Sequence, residues 1–153
     1  MKVKIKKLHK EAVIPAYAKT GDAGMDLTAV SVNSDEYGNL VYGTGLAFEI
    51  PEGYVGLVFP RSSNHKKDVI LTNCVGVIDS GYRGEVMFKY KPIPSRFKPQ
   101  HTVDVFRIKE FAYEIGDRIG QIVIIPYPQI EFEEVEELSE TERGIKGYGS
   151  TGE

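Results

Sequence analysis

Short stretches of alternating apolar and polar residues run along most of the chain, broken by turns rich in Gly, Pro, Asn and Asp. Val3 and Ile5 alternate with lysines, which predicts a strand with one wet, basic face. Val13-Ile14-Pro15 leads into a polar turn at Lys19–Asp22, Leu27–Val30 reads as a strand, and Asp35–Asn39 reads as a turn. Leu46–Ile50 and Tyr54–Phe59 flank a turn at Pro51–Gly53. Strand signals return at Val69–Thr72, Val75–Ile78, Glu85–Tyr90, Thr102–Phe106 and Ile119–Pro126. Strands this closely spaced predict an all-β sandwich or barrel. One segment reads as a short helix: Ser62–Lys67 begins with N-cap residues and ends in cations, the polarity a helix dipole favours.

Two stretches depart from this pattern. Pro92–Lys109 carries three prolines and scattered basic residues, and reads as a long surface excursion, either a partner-binding insertion or tolerated surface. Glu131–Glu142 is an acidic run interleaved with Ile130, Phe132 and Val135, expected as a solvated strand face. Its charge is complementary to the lysine-rich first strand, and pairing between the two is expected to be favourable.

With 153 residues and no internal repeat, the chain is expected to form one domain with a real core. A net charge of −3 argues against a general nucleic-acid coat but leaves small phosphorylated ligands open. The single cysteine, Cys74, excludes an intrachain disulfide and a cysteine-based zinc site, and is expected to be a buried strand residue. His9, His65 and His101 lack ligand-like spacing. Without a signal-like apolar run or a stretch long enough to span a bilayer, the expected location is cytoplasmic and off the membrane.

Four local features carry chemistry. Pro60-Arg61-Ser62-Ser63 places an arginine and two hydroxyls at a helix start, suited either to an anion or to simple capping. Asn73–Glu85 reads as a hairpin turning at Asp79–Gly84, where Asp79 is either a general base or an ordinary turn residue, and Tyr82 can pack on a sugar. Gln121, polar within the apolar run after Gly116-Asp117-Arg118, needs a partner, as does Asp26: a phosphate, a metal-bound water or a neighbouring backbone. The end of the chain, Arg143–Gly152, holds four glycines, two cations, two adjacent hydroxyls and one aromatic ring. Such a segment suits either a nucleotide lid or a floppy terminus.

Asp22–Thr28, Pro60–Lys67, Gly76–Glu85, Gly116–Val123 and Arg143–Gly152 together resemble, in sequence and order, the five motifs of the trimeric dUTP pyrophosphatases (dUTPases). The resemblance implies a jelly-roll-like β-barrel or sandwich over residues 1–142, with 143–153 as a flexible lid, in a homotrimer with active sites at subunit interfaces. It implies Mg2+-dependent hydrolysis of dUTP to dUMP and pyrophosphate, which limits uracil incorporation into DNA and supplies dUMP for thymidylate synthesis.

Carried onto this chain, Asp79 would activate the attacking water. Asn73 and the main chain of the Gly76–Met87 hairpin would read uracil. Tyr82 would pack on deoxyribose and exclude a ribose 2′-hydroxyl. Arg61, Ser62, Ser63 and Gln121 would hold phosphates or Mg2+-bound water, supported by Asp26. In the tail, Tyr148 would stack on uracil in the family's usual phenylalanine position. Arg143, Gly149, Ser150 and Thr151 would grip the terminal phosphates. Mg2+ would be held mainly through the triphosphate, without a direct protein ligand.

Gly81 departs from the acidic residue usual before the tyrosine. The related dCTP deaminases share the fold but carry a glutamate on the next strand, where Lys89 stands here. A non-catalytic regulator acting through 92–109 is the rival of another class. A P-loop nucleotidase is poorly supported, since the tail lacks the Gly-Lys-Ser/Thr ending.

Overall fold

The computed structural model describes residues 1–93 and 112–147. The described chain runs through ten strands and one short 3-10 turn. The strands are β1 Lys4–Lys7, β2 Met25–Thr28, β3 Ser31–Ser34, β4 Leu40–Gly43, β5 Leu46–Glu49, β6 Tyr54–Phe59, β7 Val69–Leu71, β8 Gly76–Ile78, β9 Met87–Pro92 and β10 Arg118–Pro126. The 3-10 turn is Ser62–Lys66. Two four-stranded sheets, β2-β10-β6-β8 and β3-β4-β9-β7, are joined by a two-stranded β1-β5 ribbon, and every pairing is antiparallel.

Alternation decides which side chains meet between the sheets. On β9, Phe88 and Tyr90 are buried while Met87 and Lys89 are exposed. Leu27, Val58, Ile119 and Ile122 from one sheet share a single apolar core with Tyr42, Val69, Phe88 and Tyr90 from the other. A register shift between Arg118 and Gly120 lets β10 bury Ile119 and Gly120 in succession. The buried phenols all find acceptors: Tyr42 donates to Tyr113 O at 2.9 Å, Tyr90 to Ile119 O at 2.6 Å, and Tyr113 to Asn64 Oδ1 at 2.9 Å. This is the all-β sandwich that the alternation predicts.

Several local expectations change. The strand expected at Leu27–Val30 begins earlier, at Met25. Strands β3 and β4, flanking the Asp35–Asn39 turn, were not among the expected elements; four residues each are too few for alternation to stand out. Residues 131–142 form no strand, so the acidic run is no ladder partner for β1. The first strand pairs with β5 instead, and Lys4 Nζ meets Glu49 Oε1 at 2.8 Å across that ladder. Cys74 is exposed in the β7–β8 turn at φ +59°, not buried in a strand.

The hairpin expected at Gly76–Met87 is split. Its first arm, β8, pairs only with β6, while its second, β9, pairs with β4 and β7 in the opposite sheet. The expected strand at Thr102–Phe106, and all of the 92–109 excursion beyond Ile93, lie outside the described residues.

Candidate active site

The first cluster forms where β2, β10 and the end of β6 lie side by side. Gln121 on β10 stands opposite Asp26 on β2 and Phe59 on β6. Asp26 accepts from Arg61 Nε at 2.7 Å and from Arg118 Nη1 at 3.0 Å. Arg61 also donates to Ser63 Oγ at 3.2 Å. The Arg61–Asp26 pair is partly buried, which makes it the firmer of the two ion pairs.

Gln121 Nε2 donates to Pro60 O at 3.1 Å and so finds a neighbouring backbone as its partner. Its amide oxygen lies against Gly24, where a Cβ would fall 2.6 Å away, so a side chain there would displace the Gln121 amide. Ser62 and Ser63 do not cap the turn; Arg61 occupies the N-cap position in an extended conformation, without a side-chain cap bond. Arg118 lies in the Gly116–Val123 motif but was not among the expected site residues, and it joins the cluster through a contact spanning 92 residues.

A second cluster lines an open cleft of about 370 Å³ between the arms of the split hairpin. Asn73, Gly76, Asp79, Tyr82 and Met87 all face it. Gly76 is needed for close approach, since a Cβ there would collide with Val58 Cγ2 and meet Asn73 Nδ2 at 3.5 Å. Tyr82 N–H donates to Asp79 O at 3.1 Å, so the carboxylate and the ring share one tight turn. Arg83 Nη1 ties the same turn by donating to Ser80 O at 2.6 Å and to Tyr82 O at 2.9 Å. The Asp79 carboxylate is exposed and takes no ion pair among the described residues, leaving its oxygens free to accept from water. At Gly81 nothing lies within 4 Å of a Cβ, so the departure to glycine follows from no steric demand.

The two clusters stand apart within one chain. Gly76 pairs with Val58 and Ile78 with Gly56, so Asp79 falls beside Val55 while Arg61 follows the far end of β6. At ~3.3 Å per residue, Val55 to Arg61 spans roughly 20 Å. In the tail, Arg143 Nε donates to Lys146 O at 3.2 Å in an exposed turn. Tyr148, Gly149, Ser150 and Thr151 lie outside the described residues. Among the described residues no three His, Cys, Asp or Glu side chains converge as metal ligands, and no helix is long and apolar enough to cross a membrane.

Comparison with known proteins gives one consistent answer. Residues 10–152 match the dUTPase family. The deoxyuridine 5′-triphosphate nucleotidohydrolase of Nautilia profundicola is 44% identical over 154 residues, covering 99% of each chain. That of Corynebacterium glutamicum is 41% identical over 152 residues, covering 98% of this chain and 94% of its own. Among solved structures, a mutant dUTPase of Staphylococcus bacteriophage 80alpha with dUpNHpp superposes with a TM-score of 0.78 at 31% identity, covering 99% of this chain and 98% of that one. A mutant dUTPase from phage phi11 of S. aureus, described with a structural Mg(II) ion, superposes at 0.68 with 26% identity, covering 90% of this chain and 98% of that one.

Proposed function

The chain belongs to the dUTPase family, and we propose that it hydrolyses dUTP to dUMP and pyrophosphate using water activated by Asp79. The observation that carries this reading is the cleft that gathers Asn73, Gly76, Asp79, Tyr82 and Met87 beside one split hairpin. β8 is the edge strand of its sheet and pairs only with β6, so its outer main-chain groups have no strand partner among the described residues. Such groups suit the edge of a pyrimidine, with Asn73 beside them. Tyr82, on the same turn as Asp79, packs on deoxyribose.

In the reaction the Asp79 carboxylate accepts a proton from water as its oxygen bonds to the α-phosphorus. The bond from that phosphorus to the bridging oxygen breaks, and pyrophosphate leaves. Positioning and charge neutralisation supply most of the acceleration for such a step. Arg61, Ser62, Ser63 and Gln121 are the residues we assign to the phosphate chain, with Asp26 holding Arg61 in place. We assign Mg2+ to the triphosphate, which would carry it in with most of its waters, beside Arg61 and Gln121. So held, Mg2+ would supply neutralisation of phosphate charge.

The roughly 20 Å between Asp79 and Arg61 exceeds what one α-phosphate can bridge. A complete site would therefore combine the hairpin cleft of one copy with the arginine cluster of another, which supports interfacial sites; we assign the assembly as the family's homotrimer. The exposed side chains Phe132 and Leu138, 90% and 87% accessible, suit cover by a neighbouring copy. Residues 143–153 act as the lid, with Tyr148 stacking on uracil and Arg143, Gly149, Ser150 and Thr151 on the terminal phosphates. A lone cysteine suits a reducing cytoplasm, where the reaction keeps uracil out of DNA and supplies dUMP for thymidylate synthesis.

The deaminase alternative is disfavoured at Lys89, whose ammonium pairs with Asp35 Oδ2 at 3.3 Å where that chemistry requires a carboxylate. The test is a panel of dUTP, dCTP, dTTP and UTP assayed for pyrophosphate and ammonia, with and without Mg2+. Pyrophosphate from dUTP, dependent on Mg2+, is expected. Ammonia from dCTP overturns the proposal.

A further inference from the structure

The loop that carries Asp79 and Tyr82 crosses between sheets without strand pairing, so side-chain contacts must hold the ring where it stands. We infer that Gly84 and Glu85 are positioning residues that seat the Tyr82 ring and thereby set selectivity for deoxyribose over ribose. The inference rests on the reading of Tyr82 as the residue that packs on the sugar.

Gly84 has no left-handed φ, so the backbone does not call for glycine there. The requirement is spatial. A Cβ on Gly84 would fall 2.5 Å from Cζ and 2.9 Å from Cε2 of Tyr82, closer than real side chains approach. The hydroxyl end of the ring therefore rests over the bare glycine. Gly81, one residue before the tyrosine, has open space on the corresponding side and gives the ring no support.

The rim of the seat is the Glu85 carbonyl, which accepts the Tyr82 hydroxyl at 3.1 Å. That carbonyl is itself anchored. The Glu85 carboxylate accepts the Gly45 N–H at 2.7 Å in the turn between β4 and β5. The next residue, Val86, donates to Leu46 O at 2.9 Å and accepts from the buried Thr44 hydroxyl at 2.7 Å. The ring is thus tied to the core through Glu85, whose own carboxylate is engaged by the Gly45 N–H. A 2′-hydroxyl is rejected only if the ring cannot yield when a ribose presses on it. Rigidity of the seat is therefore what converts an aromatic contact into selectivity.

The experiment compares kcat/KM for dUTP and UTP in the full-length wild type and in Gly84→Ala, Glu85→Ala, Glu85→Gln and Tyr82→Ala, with melting curves for each. A shape-filling site rejects an added hydroxyl by a factor on the order of 100. Gly84→Ala is expected to lower the dUTP:UTP ratio about tenfold, and Glu85→Ala to lower it several-fold, on the same scale. Glu85→Gln keeps an acceptor for Gly45 and is expected to preserve the ratio. In a Tyr82→Ala background, Gly84→Ala is expected to change the ratio no further, because it acts through the ring.

A purely structural role would lower the melting temperature and both kcat/KM values together while leaving their ratio intact; that result overturns the inference. A Gly84→Ala effect of equal size in the Tyr82→Ala background does the same. If Tyr82→Ala itself discriminates like wild type, the sugar reading of Tyr82 falls and this inference with it. If Tyr82→Ala loses selectivity while Gly84→Ala and Glu85→Ala retain it, only this inference falls.

Discussion

Replacing Gly120 by alanine adds one methyl group where the sheets meet, and the surroundings set a clear cost. Gly120 is buried on β10 and has no left-handed φ, so its backbone would accept alanine without strain. Its surroundings would not. A Cβ would collide with Cε1 and Cζ of Phe88 and approach the Phe59 carbonyl oxygen to 3.0 Å. Phe88 has little room to retreat: it is buried and stacked on Tyr90, with centroids 6.3 Å apart and planes 8° from parallel. Tyr90 is fixed in turn by its 2.6 Å bond to Ile119 O and by Tyr113, whose ring centroid is 5.3 Å away.

Overpacking in a tight core costs about 1–3 kcal/mol, and a rigid ring facing a backbone oxygen places this site near ~3 kcal/mol. For a chain of this size each kcal/mol shifts the midpoint by about 2–4 °C, so a fall of roughly 6–12 °C is expected. The assay is thermal unfolding at fixed protein concentration, because the proposed assembly would make the midpoint concentration-dependent. The double variant Gly120→Ala with Phe88→Leu should recover part of the loss, since the smaller side chain vacates the contested space. A single variant that melts within about 1 °C of the parent, or a double variant whose losses simply add, refutes the packing argument.

Three further outcomes follow from the site and the core. Asp79→Asn should slow pyrophosphate release from dUTP at least ~100-fold with an unchanged melting curve, because the carboxylate is exposed; full activity would remove Asp79 as the base. Burial pushes the Tyr42 phenol up to about 12 and shifts Tyr90 and Tyr113 the same way. These groups ionise near pH ~10 in the unfolded chain, so stability is intact below that pH and falls as pH rises from ~10 through ~12. Urea midpoints across that window should drop, less steeply in Tyr42→Phe; a flat profile would contradict the burial argument. A chain ending at Glu142 should stay folded and trimeric by light scattering yet lose most activity, and full activity would deny residues 143–153 a role as lid.

How legible the site was depended on the distance each contact spans. Asp79, Tyr82 and their turn were readable because Gly and Asp mark turns through local backbone preference. The Pro60–Ser63 strand end and the short turn after it were readable for the same reason, although capping by Ser62 or Ser63 was not realised. Arg118 was missed because its role depends on Asp26, 92 residues away. The partner of Gln121 stayed open because amide groups bond equally well to backbone, ligand or water, and only geometry chose Pro60 O. Cys74 was misplaced because its left-handed φ follows from the β7–β8 turn, whereas its residue type favours burial.

Alternation and turn chemistry, both local, determined an all-β chain, and the order of its motifs determined the family. Pairing and packing belonged to the tertiary structure. Composition made the acidic run a plausible partner for β1, yet β5 took that place because its Leu46, Ala47 and Phe48 bury as they pair. The Gly76–Met87 segment carries hairpin signals throughout, yet its arms join opposite sheets because β8 satisfies its hydrogen bonds on β6 and β9 on β4 and β7. Glycine identity is explained at position 84 by the Tyr82 phenol, and at position 120 by the Phe88 ring together with the Phe59 carbonyl. Backbone preference acts within a few residues, whereas excluded volume acts between whatever the fold brings together.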